Sequence, residues 1–247
     1  RDDYLPDTVA TGTLPEGGSY AVPVFALRPD LDLVGTQRLA NGGRELEHFG
    51  ATVWLERRLR NRWEFRAYGN VREETTAVEP ELFALDDPTD TLGLDDNDDA
   101  PFAPESVFPD QRGVYLHSRW DYTIAGLYRA RAGIGLSILA HGREGYPLLY
   151  FEDVLGSDGQ TRSVAATDED DSPLRLDNVH QLDVRAEKEL RLMGDHSAVT
   201  ISLDALNILN RTPPVERSTR LETATTDFVR EIVAPRVFRV GVRVEFR

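Results

Sequence analysis

The chain has 247 residues, a formal net charge of -15, 40% hydrophobic residues and no cysteine. That hydrophobic share is too high for a disordered polypeptide and too low for a helical membrane protein, and no apolar run approaches the roughly eighteen residues that a membrane helix needs. The acidic balance argues against a nucleic-acid partner, whose phosphates call for surplus Lys and Arg, and the missing cysteine removes disulfides, thiol nucleophiles and thiolate metal sites.

The amino terminus, R-D-D-Y-L-P, shows no basic-then-apolar leader. The expectation is that a signal was removed or that the chain begins inside a longer protein. Asp7 to Leu14, P-E-G-G at Pro15 to Gly18 and Ser19 to Leu27 then read as a hairpin. Pro23 makes the second arm a poor central strand, which places this hairpin in an extracellular loop region, residues 1–44. Residues 45–247 are read as barrel strands and their connections.

Seven alternating segments follow. Phe49–Leu59 sets Phe49, Ala51, Val53, Leu55 and Leu59 against Thr52, Glu56 and Arg58. Trp63–Val71 sets Trp63, Phe65, Ala67 and Val71 against Glu64, Arg66, Asn70 and Arg72. Val114–Tyr128, Ile134–Gly142, Leu182–Leu192 and Ala198–Leu206 alternate in the same way. The last segment is the clearest. Phe238, Val240, Val242, Val244 and Phe246 alternate with Arg239, Gly241, Arg243 and Glu245. Successive side chains of a strand point to opposite faces, so one face is apolar, with an aromatic residue at each end, and the other is mostly charged. A membrane-spanning β-strand has this pattern; a soluble sandwich strand also alternates.

The connections separate the two. Tight joints around Arg60–Arg62, Ala130–Ala132 and Met193–His196 alternate with long connections at Glu73–Arg112, Arg143–Pro173 and Asn207–Pro235. That rhythm belongs to an outer-membrane barrel with short periplasmic turns and long extracellular loops. Arg57 and Lys188 interrupt the apolar faces, but each lies near a proposed periplasmic turn, where a long basic side chain can reach the headgroups. Lys188 is the only lysine; a GC-rich genome produces such an arginine bias without any function. The expected fold is therefore all-β: an antiparallel transmembrane β-barrel segment of about seven to eight meandering strands. Seven crossings leave the carboxyl terminus periplasmic and the amino-terminal hairpin outside. An odd count implies part of a larger barrel; if Ser19–Arg28 also spans, a small closed eight-strand barrel is the alternative.

Several segments resemble the C-terminal barrel region of TonB-dependent outer-membrane receptors, in particular their Oar-like branch. They are G-R-E-G-Y-P-L-L-Y-F (Gly142–Phe151), L-D-V-R-A-E-K-E-L (Leu182–Leu190), L-D-A-L-N-I-L-N-R (Leu203–Arg211), R-E-I-V-A-P-R-V-F-R-V-G-V-R (Arg230–Arg243) and the amino-terminal G-T-L-P-E-G-G-S-Y-A-V-P-V-F-A-L. The resemblance covers most of the chain outside Glu79–Pro109. It implies the last third of a twenty-two-stranded barrel whose plug domain lies outside this sequence, located in the cell outer membrane of a Gram-negative bacterium. The implied partners are outer-membrane lipid, the remaining barrel and plug, the TonB system and a small ligand, and the implied role is transport, not catalysis. One departure is Arg247, which follows the aromatic Phe246 where such barrels end on the aromatic residue itself.

Candidate chemistry is sparse, and no catalytic, cofactor-binding or metal-ligating residue is assigned. Asp95, Asn97 and Asp99, in the acidic run Asp86–Asp99, have the oxygen spacing of a calcium loop, but Ala100 and Ser106 replace its Gly and Glu. A solvated, self-repelling loop is the favoured reading, there and for Asp168–Asp171. His48, His117, His141, His180 and His196 show no metal-ligand spacing. Gly142–Gly145 lacks the end of a phosphate loop and suits a turn at the barrel rim. Arg185, Glu187, Glu189, Arg191, Arg239, Arg243 and Glu245 are expected to form ion-pair ladders across strands. Tyr146, Tyr150 and Phe151 are expected in an outer aromatic girdle. A soluble β-sandwich binding module and a small barrel acting as an anchor or adhesin remain the alternatives.

Overall fold

The computed structural model describes residues 4–30, 44–78, 118–166, 174–192, 197–221 and 223–246. Over these residues the chain is all-β. In chain order the strands are β1 (Tyr4–Thr13), β2 (Ser19–Leu27), β3 (Arg44–Arg60), β4 (Trp63–Val78), β5 (Trp120–Arg129), β6 (Ile134–Arg143) and β7 (Tyr150–Leu155). They continue with β8 (Thr161–Ala166), β9 (Val179–Leu192), β10 (Ser197–Leu206), β11 (Pro214–Arg217), β12 (Val229–Ile232) and β13 (Val237–Phe246).

Seven of them form one antiparallel sheet, β3-β4-β5-β6-β9-β10-β13, in which every strand pairs with its predecessor. These are the seven strands expected from the alternation, in the expected order. Their limits differ in places. β3 begins at Arg44 and β4 runs on to Val78, so the connection after it starts later than Glu73. β5 begins at Trp120, and the expected earlier start at Val114–His117 lies outside the described residues. Among the described residues the sheet is open, with β3 and β13 as its edges, and no closed barrel forms. The eight-strand alternative is not realised there, because β2 pairs with β1 in a separate two-stranded sheet.

The short joints are tight for local reasons. Asn61 and Arg62 both take positive φ, 54° and 72°, as the two central residues of a type I′ hairpin turn do. At the next joint Ala132 and Gly133 are left-handed, at 62° and 73°, closing a 3₁₀ turn over Arg131–Gly133. The Ala130 amide donates to the Ile134 carbonyl there at 2.8 Å. The joint at Met193–His196 lies outside the described residues.

Two of the long connections are not plain loops, and the third, at Glu73–Arg112, lies outside the described residues beyond Val78. Between β6 and β9 the chain forms the β7–β8 hairpin, and between β10 and β13 the β11–β12 hairpin. Among the described residues the main buried apolar cluster belongs to the amino-terminal hairpin and these insertions, with Val179 of β9 the buried apolar residue of the sheet. The cluster gathers Ala10, Leu14, Tyr20 and Val24 from the amino-terminal hairpin with Leu148, Tyr150, Val164, Ala166 and Leu221. Topology puts all three hairpins at the end of the sheet opposite the tight turns. They form a cap, and Phe246 lies at the other end, across from Ser197.

Candidate functional site

Cross-strand register keeps one parity on one face over the whole sheet. Leu55 faces Ala67, which faces Ile124, then Ala140, then Leu182. Farther along, Ala186 faces Leu203 and Leu203 faces Val240. Among the described residues these apolar side chains are not stacked on a second sheet. Val53, Leu55, Ile138, Leu203, Val240 and Val242 are all exposed, Val240 by 72%. A soluble monomer rarely exposes a continuous apolar surface of this extent. Aromatic rings mark its two rims. Near the tight turns, the Trp63 and Tyr128 rings meet at 4.5 Å between centroids. At the cap end Trp120 stacks on His180 at 5.7 Å and on Tyr122 at 6.3 Å. The Tyr122 hydroxyl and His180 Nδ1 share a hydrogen bond of 3.0 Å, closing this second cluster. Gly142 leaves room for it, since a Cβ there would sit 2.6 Å from the Tyr122 ring. From Trp120 to Tyr128 the belt runs along ten-residue β5, within the roughly 9–11 residues of a tilted membrane-spanning strand.

Lys188 lies on this face, beside Ile134 and Ile201. Its Nζ bends to the Ala132 carbonyl in the adjacent tight turn, so the charge sits at the rim instead of mid-belt. Arg57 is also on the apolar face, opposite Phe65, and is exposed.

The opposite face is polar and knitted across strands. Asp204, with a side chain only 6% exposed, accepts from Arg239 Nε at 2.9 Å and lies 3.5 Å from Arg185 Nη1. Arg185 also holds Glu187 at 3.2 Å. A cross-strand ion-pair link therefore runs from Arg185 of β9 through Asp204 of β10 to Arg239 of β13, and its centre, Asp204, is a residue the expected ladder left out; Arg185 and Glu187 pair within one strand. Arg243 and Glu245 pair along one strand at 3.0 Å instead of across two. A second row links Thr52 Oγ1, donating to Asn70 Oδ1 at 2.9 Å, and Asn70 Nδ2, donating to Asp121 Oδ1 at 3.2 Å. Below that row Trp54 and Tyr68 face each other in register, both exposed on the polar side.

The cap is tied to the sheet at Glu144. Its carboxylate receives the Arg119 backbone amide at 2.8 Å and Arg119 Nη2 at 2.7 Å, and stands 3.2 Å from Arg175 Nη1. Burial pushes this carboxyl up, but the Arg119 hydrogen bonds and the Arg175 charge outweigh it and hold Glu144 below its ordinary value. Gly145 comes so close to the 174–178 segment that an added Cβ would overlap the Leu176 carbonyl. Within the cap, the buried Tyr150 hydroxyl donates to Asp227 Oδ1 at 2.7 Å, and Arg217 Nη1 donates to Asp227 Oδ2 at 2.6 Å. Burial, then the Asp227 hydrogen bond, raises the Tyr150 phenol far above its usual range. Tyr20 donates to Glu152 at 2.9 Å and the Ser157 amide to Asp7 at 2.7 Å, joining the first two hairpins.

The sequence-named candidates scatter. Tyr150 and Phe151 are buried in the cap, so they are not part of an outer girdle; Trp63, Tyr128, Trp120 and Tyr122 occupy the rims instead. Tyr146 lies under the Arg143 guanidinium, 3.7 Å from its ring centre. His141 shares a 2.5 Å contact with Gln181 on the polar face, and His48 is exposed on β3. His117, His196 and the acidic runs Asp86–Asp99 and Asp168–Asp171 lie outside the described residues. No group of three His, Asp or Glu converges on a metal position among the described residues. Glu144, Arg119, Arg175, Asp227 and Arg217 were missed, because their partners lie between 25 and 77 residues away or, for Arg217 and Asp227, on the two arms of a hairpin. The one available signal was a lone Glu between two glycines in G-R-E-G.

Fold and faces together define an all-β protein built on an open, two-sided antiparallel meander with a hairpin cap. Neither the protein-family models nor the curated proteins give a match to this chain.

Proposed function

We propose that the seven-stranded sheet is part of the wall of an outer-membrane β-barrel, and that the barrel belongs to a TonB-dependent receptor taking up a small ligand. On this reading the apolar belt meets acyl chains, the polar face lines the lumen, the tight turns are periplasmic and the cap is extracellular. Four features support it. The belt crosses all seven strands with charge only at Arg57 and Lys188 near the tight turns, no second layer covers it among the described residues, aromatic rings bound it at both rims, and the opposite side carries the charge. The belt is the observation that carries the reading, because water is a poor solvent for it and lipid is a good one. The receptor assignment adds the resemblance of Gly142–Phe151, Leu203–Arg211 and Arg230–Arg243.

The absence of cysteine makes the lipid claim directly testable. Single cysteines placed along β13 in the full chain, folded into lipid vesicles, are reacted with a membrane-impermeant maleimide. Val240→Cys and Val242→Cys are expected to be protected, while Arg239→Cys and Arg243→Cys react through the lumen. Equal reactivity at both parities would overturn the lipid-facing belt. The receptor part has its own test in the reading frame upstream of Arg1. A plug domain supports it, and a signal peptide immediately before Arg1 overturns it.

A further inference from the structure

On the polar face, Trp54 of β3 and Tyr68 of β4 stand opposite each other in register, 67% and 40% exposed. Their position is unusual for this sheet. The other exposed tryptophan, Trp63, belongs to the apolar belt, whereas this pair lies among charges and hydroxyls. Among the described residues no ring or guanidinium stacks on either of them. One register step toward the cap runs the chain Thr52–Asn70–Asp121, held at 2.9 and 3.2 Å. It spends one carboxylate oxygen of Asp121 and leaves Oδ2 with no hydrogen-bond partner among the described residues. Arg143, the cross-strand neighbour of Asp121, is turned away onto the Tyr146 ring and the Glu144 carbonyl. One step on the other side, Arg66 is occupied by Glu56 at 3.6 Å and Glu64 at 3.7 Å.

We infer that Trp54 and Tyr68, with Asn70 and Asp121, form a binding site for a neutral saccharide on the polar face. A pyranose presents a flat patch of C–H bonds on one side and a ring of hydroxyls at its edge. The aromatic pair offers the apolar platform for the first. To the second, the Asn70 amide can donate its other N–H, and the open Asp121 carboxylate oxygen can accept from it; a carboxylate acceptor is the stronger partner for a hydroxyl donor. Charge selects within that class. Asp121 and Glu56 repel an anion, and Arg66 is already paired with Glu56 and Glu64, so phosphorylated or carboxylated ligands are disfavoured. The site does not require the sheet to lie in a membrane, and it stands or falls separately from the receptor reading.

The test uses the full chain, folded in an amine-oxide micelle or in buffer, whichever retains its strand circular dichroism, so that no glycosidic detergent competes. Maltohexaose and cellohexaose are the probes, with choline and inorganic phosphate as cationic and anionic controls, read by tryptophan fluorescence and calorimetry. The expected result is saturable binding of at least one glucan and of neither control. Trp54→Ala and Tyr68→Ala should each weaken it by roughly tenfold, the order of one lost aromatic contact. Trp54→Phe should retain most of it, and Trp63→Ala, on the other face, should leave it unchanged. Asp121→Asn should also weaken binding, which a merely structural Trp54 would not predict. Failure of both glucans to bind the folded chain, undiminished binding by Trp54→Ala, or binding of choline or phosphate at this site would overturn the proposal. If the cysteine scan of β13 fails but glucan binding persists, the membrane reading falls and this site stands.

Discussion

Asp227 receives a buried phenol and a guanidinium on its two oxygens, and both donors depend on it. Asp227→Ala strands the Tyr150 hydroxyl and the Arg217 charge at once. It is expected to destabilise the cap by about 2–3 kcal/mol, measured by chemical denaturation followed by tyrosine fluorescence. The same cluster fixes a pH window. The raised Tyr150 phenol is neutral in both states below its unfolded value of 10.0, so its contribution is complete there. Above that, the unfolded chain loses the proton first, and cap stability falls as pH rises. Asp227 behaves in the opposite sense. Burial raises its carboxyl, but the Tyr150 and Arg217 hydrogen bonds pull it below its ordinary 3.8, so its contribution holds above that pH and is lost on acidification. Cap melting temperature should therefore be flat between about pH 4 and pH 10 and drop on either side. A steady rise through pH 10 would contradict the burial of the phenol.

At the scale of elements, two surfaces bear the weight: the junction of cap and sheet, and the belt. Gly145 is at the first. Its substitution by alanine drives a methyl into a backbone carbonyl, which cannot rotate away as a side-chain end could. Gly145→Ala should cost at least about 2 kcal/mol and free the β7–β8 hairpin for proteolysis near Gly156–Gly159, while the tight-turn end of the sheet stays intact. Leu203 tests the second, lying between Ala186 and Val240 near the middle of the belt. Facing acyl chains, Leu203→Arg should cost about 2–4 kcal/mol of folding free energy in vesicles. Facing water, the same change at an exposed position should cost within about 0.5 kcal/mol. The neighbouring Ser202→Ala, on the polar face, serves as the control. Lys188 marks where the belt tolerates charge, because its amine reaches a turn carbonyl at the rim.

For the whole molecule, the described residues invert the usual soluble protein: their main buried cluster lies in the hairpin cap, and the apolar face of their sheet is exposed. Among the described residues β3 and β13 are edges, and the unpaired backbone groups of an edge strand invite pairing with further strands. In buffer without lipid or detergent the full chain is expected to self-associate, and sedimentation velocity should show a monomer only after an amphiphile is added. The order and parity of the seven strands were legible because the pleat has a period of two residues, and a local alternation such as Phe238–Phe246 needs no tertiary partner to declare its faces. The hairpins at Asn61–Arg62 and Pro15–Gly18 were legible for a similar reason, since turn chemistry is local. The interior of the long connections was not. Tyr150 looked like a rim aromatic because nothing in its neighbours along the chain reveals Asp227, seventy-seven residues away. Trp54 and Tyr68 also escaped notice, since each sits in phase with charged residues and only register sets them side by side. The sequence by itself thus determined the seven sheet strands, their faces and their order, which depend on interactions a few residues long. Only the tertiary structure decided where the core lies, how Glu144 fastens cap to sheet and which polar-face residues converge, because burial and convergence are set by contacts between segments distant in the chain.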